Sequence, residues 1–264
     1  MTALDELLTL ATDAARRAGD LLREGLDRPR TAVSTKSSPT DMVSEMDRAA
    51  EALLVDALLG ARPDDGMVGE EGTDRDGSTG VRWIVDPLDG TTNYLFRLPG
   101  FAVSIAAEVD GELAVGVVYD VVHDELFAAV RGGGATLNGR PIRASSAAEL
   151  PGALVATGFG YDAARRRAQA QVLVQVLPQV RDVRRFGAAS VDLCLVACGR
   201  VDAYWERGLA PWELAAGIVV AREAGAVVTD FHGGPPTGDG VVAAAPALAE
   251  PLRAILLAAG ADRA

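Results

Sequence analysis

The sequence predicts an α/β protein, α+β in its first half and strictly alternating in its second. Three observations carry that reading. Leu4, Leu7, Leu8, Ala11, Ala15, Ala18 and Leu22 recur at helical spacing. From Met67 the period shifts towards two, and beyond the polar stretch Ala144–Leu150 strand and helix patterns take turns. A chain of 264 residues suits one large domain or two modest ones. The stretch at 144–150 has the composition of a short link, so the expected division is 1–146 and 147–264, with the two parts packed together.

In order, a first helix runs from Leu4 to about Glu24 behind the cap candidate Thr2. A polar loop from Arg28 to Thr40 precedes a second helix from Ser44 to Leu59, and Pro63-Asp64-Asp65-Gly66 stops it. Strands follow at Met67–Gly69, Arg82–Asp86, Ala102–Val109, Leu113–Tyr119 and Glu125–Val130, with Asp110-Gly111 and Asn138-Gly139 as hairpin turns. The second half reads strand Ala153–Thr157, helix Asp162–Leu177, strand Val180–Arg184, helix Ala188–Cys198 and strand Val201–Trp205. Helix Pro211–Ala224, strand Ala226–Thr229, a Gly/Pro-rich loop, strand Val241–Ala244 and a last helix to Ala259 complete it.

Composition narrows the function. With 49% apolar and 23% charged residues the chain is globular, not disordered. A net charge of −12 repels nucleic acid and anionic membranes, and Arg165-Arg166-Arg167 reads as the solvated face of a helix. No apolar run approaches eighteen residues and no basic leader opens the chain, so a cytoplasmic protein is expected. Cys194 and Cys198, without a second pair, read as reduced core residues. With only two histidines, carboxylates must carry any chemistry.

The densest cluster is Trp83-Ile84-Val85-Asp86-Pro87-Leu88-Asp89-Gly90-Thr91-Thr92-Asn93. An apolar strand is expected to end at Asp86, Pro87 to turn Asp86 and Asp89 to one side, and Gly90-Thr91-Thr92 to open a helix. Such acids could merely cap the turn, but Glu70 and Glu71 at the end of another strand are poorly placed for mere solubility. Hard oxygen donors without Cys or His favour Mg²⁺, Mn²⁺ or Ca²⁺, and a mixed set of carboxylates, carbonyl and water suits Mg²⁺ bound with phosphate. A phosphate about 4 Å from one carboxylate is repelled by about 4 kcal/mol per charge pair at an effective dielectric near 20, so it needs the metal.

Together with these, the motifs Lys36-Ser37-Ser38, Asp41 to Asp47, Gly69-Glu70-Glu71, Asp86 to Asn93 and Gly132-Gly134-Ala135 with Asn138-Gly139 stand in one order. Thr157-Gly158-Phe159, Arg185-Phe186-Gly187-Ala188-Ala189, Tyr204-Trp205-Glu206 and Pro211 to Gly217 continue it. In this order they resemble the Mg²⁺-dependent, lithium-sensitive inositol monophosphatase family over nearly the whole chain. The resemblance implies a layered αβαβα sandwich of the inositol monophosphatase and fructose bisphosphatase type, a homodimer, and hydrolysis of a small phosphomonoester, foremost myo-inositol 1-phosphate. It implies two or three Mg²⁺, with Mn²⁺ as a substitute, held by Glu70, Asp86, the Leu88 carbonyl, Asp89 and Glu213. Thr91 would orient the attacking water, Asp47 would hold the Thr91 hydroxyl, and Glu70 would help to deprotonate the water. Asp89 and the amides of Gly90 and Thr91 would meet the phosphate end of the substrate. Glu206 would accept hydrogen bonds from polyol hydroxyls beside a backbone edge of Gly187, Ala188 and Ala189, and Lys36 would lie in a loop over the phosphate.

Two residues depart from the family pattern. Glu213 stands where the family usually has Asp, adding a methylene of about 1.5 Å, which is expected to weaken one metal site or make it more tolerant of Mn²⁺. Phe186 replaces a small or polar residue and reads as packing. Other readings are histidinol phosphate, fructose 1,6-bisphosphate or a nucleotide 3′-phosphate as substrate, and a non-catalytic metal- or partner-binding protein on the same scaffold.

Overall fold

The computed structural model describes residues 2–26, 33–35 and 42–264, so Lys36 and Asp41 lie outside the described residues. Helix α1 (Ala3–Gly25) opens on a reciprocal cap: the Thr2 hydroxyl accepts from the Asp5 amide and the Asp5 carboxylate from the Thr2 amide. A short antiparallel pair, β1 (Val33–Thr35) and β2 (Met42–Ser44), leads into α2 (Glu45–Ala61). Buried Asp65 organises the turn after α2, accepting from Arg62, the Thr79 hydroxyl and the Trp83 indole.

The first sheet has eight strands: β3 (Gly66–Gly69), β4 (Asp74–Arg75), β5 (Val81–Asp89), β6 (Ala102–Val109), β7 (Glu112–Asp120), β8 (Glu125–Val130), β9 (Gly134–Leu137) and β10 (Arg140–Pro141). Its order is β10-β9-β8-β7-β6-β5-β3-β4, antiparallel except for the parallel pair β3 and β5. Alternation sets the two faces. Trp83, Val85, Val103, Ile105, Val115 and Val117 pack with α1 and α2, while Ile84, Ala102, Ala106 and Val118 join the opposite core.

Strand β5 does not end at Asp86 as the sequence suggests. It runs on to Asp89, with a slip: Asp86 pairs with Ser104 and Asp89 with Ala102, three steps on one strand against two on its neighbour. Pro87 has no amide to give the ladder, so the extra residue falls where pairing is already broken. The six-residue helix α3 (Thr91–Phe96) follows at once.

The second sheet comprises β11 (Leu154–Thr157), β12 (Asp182–Arg184), β13 (Ala203–Glu206), β14 (Val227–Thr229) and β15 (Val241–Ala244), in the order β12-β11-β13-β15-β14. Helices α5 (Ala189–Ala197) and α6 (Pro211–Glu223) are buried between the two sheets. Helices α4 (Ala163–Val176) and α7 (Ala249–Ala258) cover the outer face of the second sheet. The result is the layered αβαβα sandwich. Cys194 is buried among the apolar residues between the sheets, and both cysteines are free. No helix among the described residues is long and apolar enough to cross a membrane.

Candidate active site

A cleft of about 490 Å³ opens where the C-terminal end of β5 meets the N-termini of α3, α5 and α6 and the ends of β11 and β13. Helix N-termini and strand ends converge there because α3, α5 and α6 each begin shortly after the C-terminal end of a strand, β5, β12 and β13.

One wall is the break in β5. Asp86 is 1% exposed, and its Oδ1 accepts from the Leu88 amide at 3.0 Å, which pins the chain around Pro87. The Thr91 hydroxyl donates to the Leu88 carbonyl at 3.0 Å. Gly90 has φ +88°, and a Cβ there would sit 2.7 Å from the Gly100 carbonyl, so only glycine lets α3 start so close to the strand. Asn93 then clamps the site, donating to the Gly100 carbonyl at 2.7 Å and to the Phe186 carbonyl at 2.8 Å. That second bond ties α3 to the segment before α5.

Helix α5 contributes Ser190, whose amide and hydroxyl both donate to Asp89 Oδ2, at 2.8 and 2.6 Å. Helix α6 begins with Ala210 as cap and Pro211 at its first turn, and the Ser104 hydroxyl donates to the Trp212 carbonyl at 3.1 Å. Because Ser104 pairs with Asp86 in the sheet, that bond sets the start of α6 beside Asp86. Glu213 folds back on its own helix, its Oε2 accepting from the Ala210 amide at 2.6 Å.

The acids here disturb one another. Burial, then the charges of Glu70, Asp89 and Glu213, push Asp86 well above the usual carboxylate range. Burial raises Asp89 to about 6 against the opposing pull of the Ser190 hydrogen bonds. Glu213 is raised well up by burial and the charge of Asp89, with the Ala210 amide working the other way. The set is made of hard oxygen donors whose repulsion a divalent cation would relieve, which fits Mg²⁺ or Mn²⁺. As they stand, however, no three Asp, Glu, His or Cys side chains among the described residues are drawn together enough to hold an ion. One oxygen of Asp89 is engaged by Ser190 and one of Glu213 by its own helix cap.

The other end of the cleft belongs to the second sheet. Glu206, at the end of β13, accepts from the buried Tyr204 hydroxyl at 2.7 Å, and burial raises it to about 7 despite Tyr204 and Arg185. Gly187, Ala188 and Ala189 form the expected edge beside it.

Of the residues expected from sequence, Glu70, Asp86, Leu88, Asp89, Gly90, Thr91, Gly187, Ala188, Ala189, Glu206 and Glu213 all face this cleft. Asp47 is buried in the first turn of α2 and does not line it. Phe186 packs half-buried against the core between the sheets. Sequence reasoning missed Ser190, Tyr204 and the tie made by Asn93. Arg165 stays exposed, as the solvated helix face implies, and sequence reasoning missed only that it also lines the cleft. Ser190 is the second residue of α5, three residues after Gly187, while Tyr204 and Asn93 lie in sequence motifs that assign them no role.

A model of the inositol monophosphatase family matches residues 3–259. The chain belongs to the inositol monophosphatase family. Among its relatives, a protein named Nus factor SuhB from Escherichia coli (strain K12) is 43% identical over 234 residues, covering 86% of each chain. A protein named inositol-1-monophosphatase from Mycobacterium leprae is 45% identical over 236 residues, 85% of this chain and 81% of that one. The solved structure of inositol monophosphatase from Anabaena (Nostoc) sp. PCC 7120 superposes with a TM-score of 0.87 at 36% identity, covering 97% of each chain. Family membership supports a phosphatase and agrees with the αβαβα layers.

Proposed function

We propose that the protein hydrolyses the phosphate ester of a small polyol, first among them myo-inositol 1-phosphate, with divalent cations of the Mg²⁺ type. One observation carries this reading: four acids from three segments, Glu70, Asp86, Asp89 and Glu213, face one cleft, where burial and neighbouring charge raise the proton affinity of Asp86, Asp89 and Glu213. Glu70, Asp86, the Leu88 carbonyl, Asp89 and Glu213 would hold the ions. Bound there, Mg²⁺ or Mn²⁺ supplies a water of lowered pKa and neutralises charge on the phosphate and leaving oxygens.

The chain's own groups do the rest. Thr91, fixed by the Leu88 carbonyl, presents its hydroxyl oxygen as acceptor for the attacking water. Glu70 stands in the same cleft as the proton acceptor, and the buried Asp47 supports the segment as a positioning residue. The amides at the start of α3 suit a phosphate oxygen. Glu206, with one oxygen already satisfied by Tyr204, offers the other to a polyol hydroxyl beside the Gly187–Ala189 edge. A homodimeric, lithium-sensitive, cytoplasmic enzyme, divided at residues 146 and 147, completes the proposal.

The test is phosphate release by purified protein with Mg²⁺ from inositol 1-phosphate, histidinol phosphate and a nucleotide 3′-phosphate. Turnover of inositol 1-phosphate above the other two is expected. The name Nus factor on a relative 43% identical favours a second reading, a partner-binding protein on the same scaffold. Absence of turnover on every ester would leave that reading standing.

A further inference from the structure

Helix α2 carries a buried acid that the chemistry of the cleft leaves unused. Glu51 is 5% exposed and does not line the cleft. Its Oε2 accepts from the Glu71 amide at 2.7 Å. Its Oε1 accepts from the Thr73 amide at 3.0 Å and from the Thr73 hydroxyl at 2.7 Å. All three donors belong to the turn between β3 and β4, the turn that carries Glu70.

The fit is close on both sides of Glu70. A Cβ on Gly69 would fall 2.5 Å from Glu51 Oε2, so only glycine lets the strand end this near the carboxylate. The amide on the other side, that of Glu71, donates to the same oxygen. Glu70 is therefore held through both of its neighbours. The turn closes without the acid, since the Gly69 amide donates to the Thr73 carbonyl at 2.7 Å, and Gly72 and Asp74 are exposed. Taking a carboxylate out of water is costly, whereas an exposed turn can leave its amides to solvent. What the buried acid adds is direction. Strands β3 and β5 run parallel with Gly69 opposite Val85, so Glu70 and Asp86 come next along the two chains, and the two side chains meet in a hydrogen bond.

We infer that Glu51 is a positioning residue for Glu70: from behind the turn it fixes the residues on both sides of Glu70, so that the Glu70 carboxylate stands beside Asp86 and the two can share a divalent cation. This rests on the phosphatase reading of the cleft, in which Glu70 is a metal ligand. Glu51 itself touches neither ion nor substrate and acts only through Glu70.

The experiment is a double-mutant cycle of Glu51→Gln and Glu70→Gln, read as Mn²⁺ affinity by calorimetry and as kcat/KM for inositol 1-phosphate with Mg²⁺. Glu51→Gln keeps an oxygen for Thr73 but turns an NH₂ group towards the Glu71 amide, two donors face to face. Both quantities are expected to fall about tenfold in Glu51→Gln. In the Glu70→Gln background the same change should cost less than about twofold in Mn²⁺ affinity, because its route to the ion is already gone. Its effect on melting temperature should be equal in both backgrounds. Wild-type Mn²⁺ affinity in Glu51→Gln, or losses that add in full, overturn the inference and leave the phosphatase reading intact. Wild-type affinity and turnover in Glu70→Gln overturn the metal role of Glu70 and the inference with it. Should Glu51→Gln not fold, Thr73→Val decides, since it removes only the hydroxyl donor. A loss of Mn²⁺ affinity of about threefold is then expected, and no loss overturns the inference.

Discussion

The two ends of the cleft are built on opposite principles. At the acidic end Asp86, Leu88, Asp89, Gly90 and Thr91 fall within six consecutive residues, on a strand break that Pro87 forces and Asn93 locks. At the polyol end Gly158, Arg165, Arg185 and Glu206 come from four separate segments and meet only because β11 and β13 are parallel neighbours. The first end concentrates like charge in a rigid frame, and the second balances charge across loops. Catalytic power should therefore be sensitive to single atoms at one end, and substrate choice should be tunable at the other.

The largest effect expected from breaking that contrast is at Asp89. Replacement by Asn keeps the shape and an oxygen for Ser190 but removes one negative charge from the cluster. Turnover should fall by about 100-fold or more, since a site of this kind depends on its full ligand charge. The same change should leave metal-free stability equal or higher, because Asp86 and Glu213 lose a repelling neighbour. Steady-state rates and chemical denaturation of the Asp89→Asn protein check both halves. Near wild-type turnover would remove Asp89 from the machinery.

The same contrast explains what could be read from sequence. Contiguous motifs show their geometry in their spelling: an apolar strand, a proline without an amide and a glycine before Thr91 leave the acids little freedom. The exact strand end was not legible, because the slip between Asp86 and Asp89 depends on pairing with Ser104 and Ala102 in another strand. The polyol end hides more. Arg165-Arg166-Arg167 spells one solvated helix face, which all three remain, and only the fold brings Arg165 against Gly208 of a distant loop at the rim of the cleft. Glu213 was legible as a departure from its family, but not the bond it makes to Ala210.

A smaller effect sharpens the comparison through pH. Asp89 rises from 3.8 to about 6 and Glu206 from 4.5 to about 7 on folding, so the folded protein holds protons the unfolded chain has released. Where the folded state binds more protons, stability falls as pH rises, here across the window from about 4 to about 7. Each shift corresponds to a cost on the order of 3 kcal/mol once both states are ionised. Denaturation in chelator should show declining stability from pH 5 to pH 8. Added Mg²⁺ should restore more of it at pH 8 than at pH 5, because protonated carboxyls bind the ion poorly. A flat stability profile in chelator would mean that the cluster is not strained as its burial implies.

The smallest effect concerns Glu213, whose two possible partners compete. Its carboxylate caps α6 through the Ala210 amide, a bond of the kind worth about 1 kcal/mol, and that bond must loosen before the oxygen can serve an ion. Glu213→Asp shortens the side chain and weakens the reach back to Ala210. The metal-free protein should lose about 1 kcal/mol of stability, while Mn²⁺ binding measured by calorimetry should tighten by about fivefold. Glu213→Gln separates the roles, since the amide oxygen can still cap while the charge is gone: stability holds and Mn²⁺ affinity drops. Movement of both quantities in the same direction in Glu213→Asp would show that the cap and the metal do not compete. Unchanged binding in Glu213→Gln would place the fourth acid outside the ligand set.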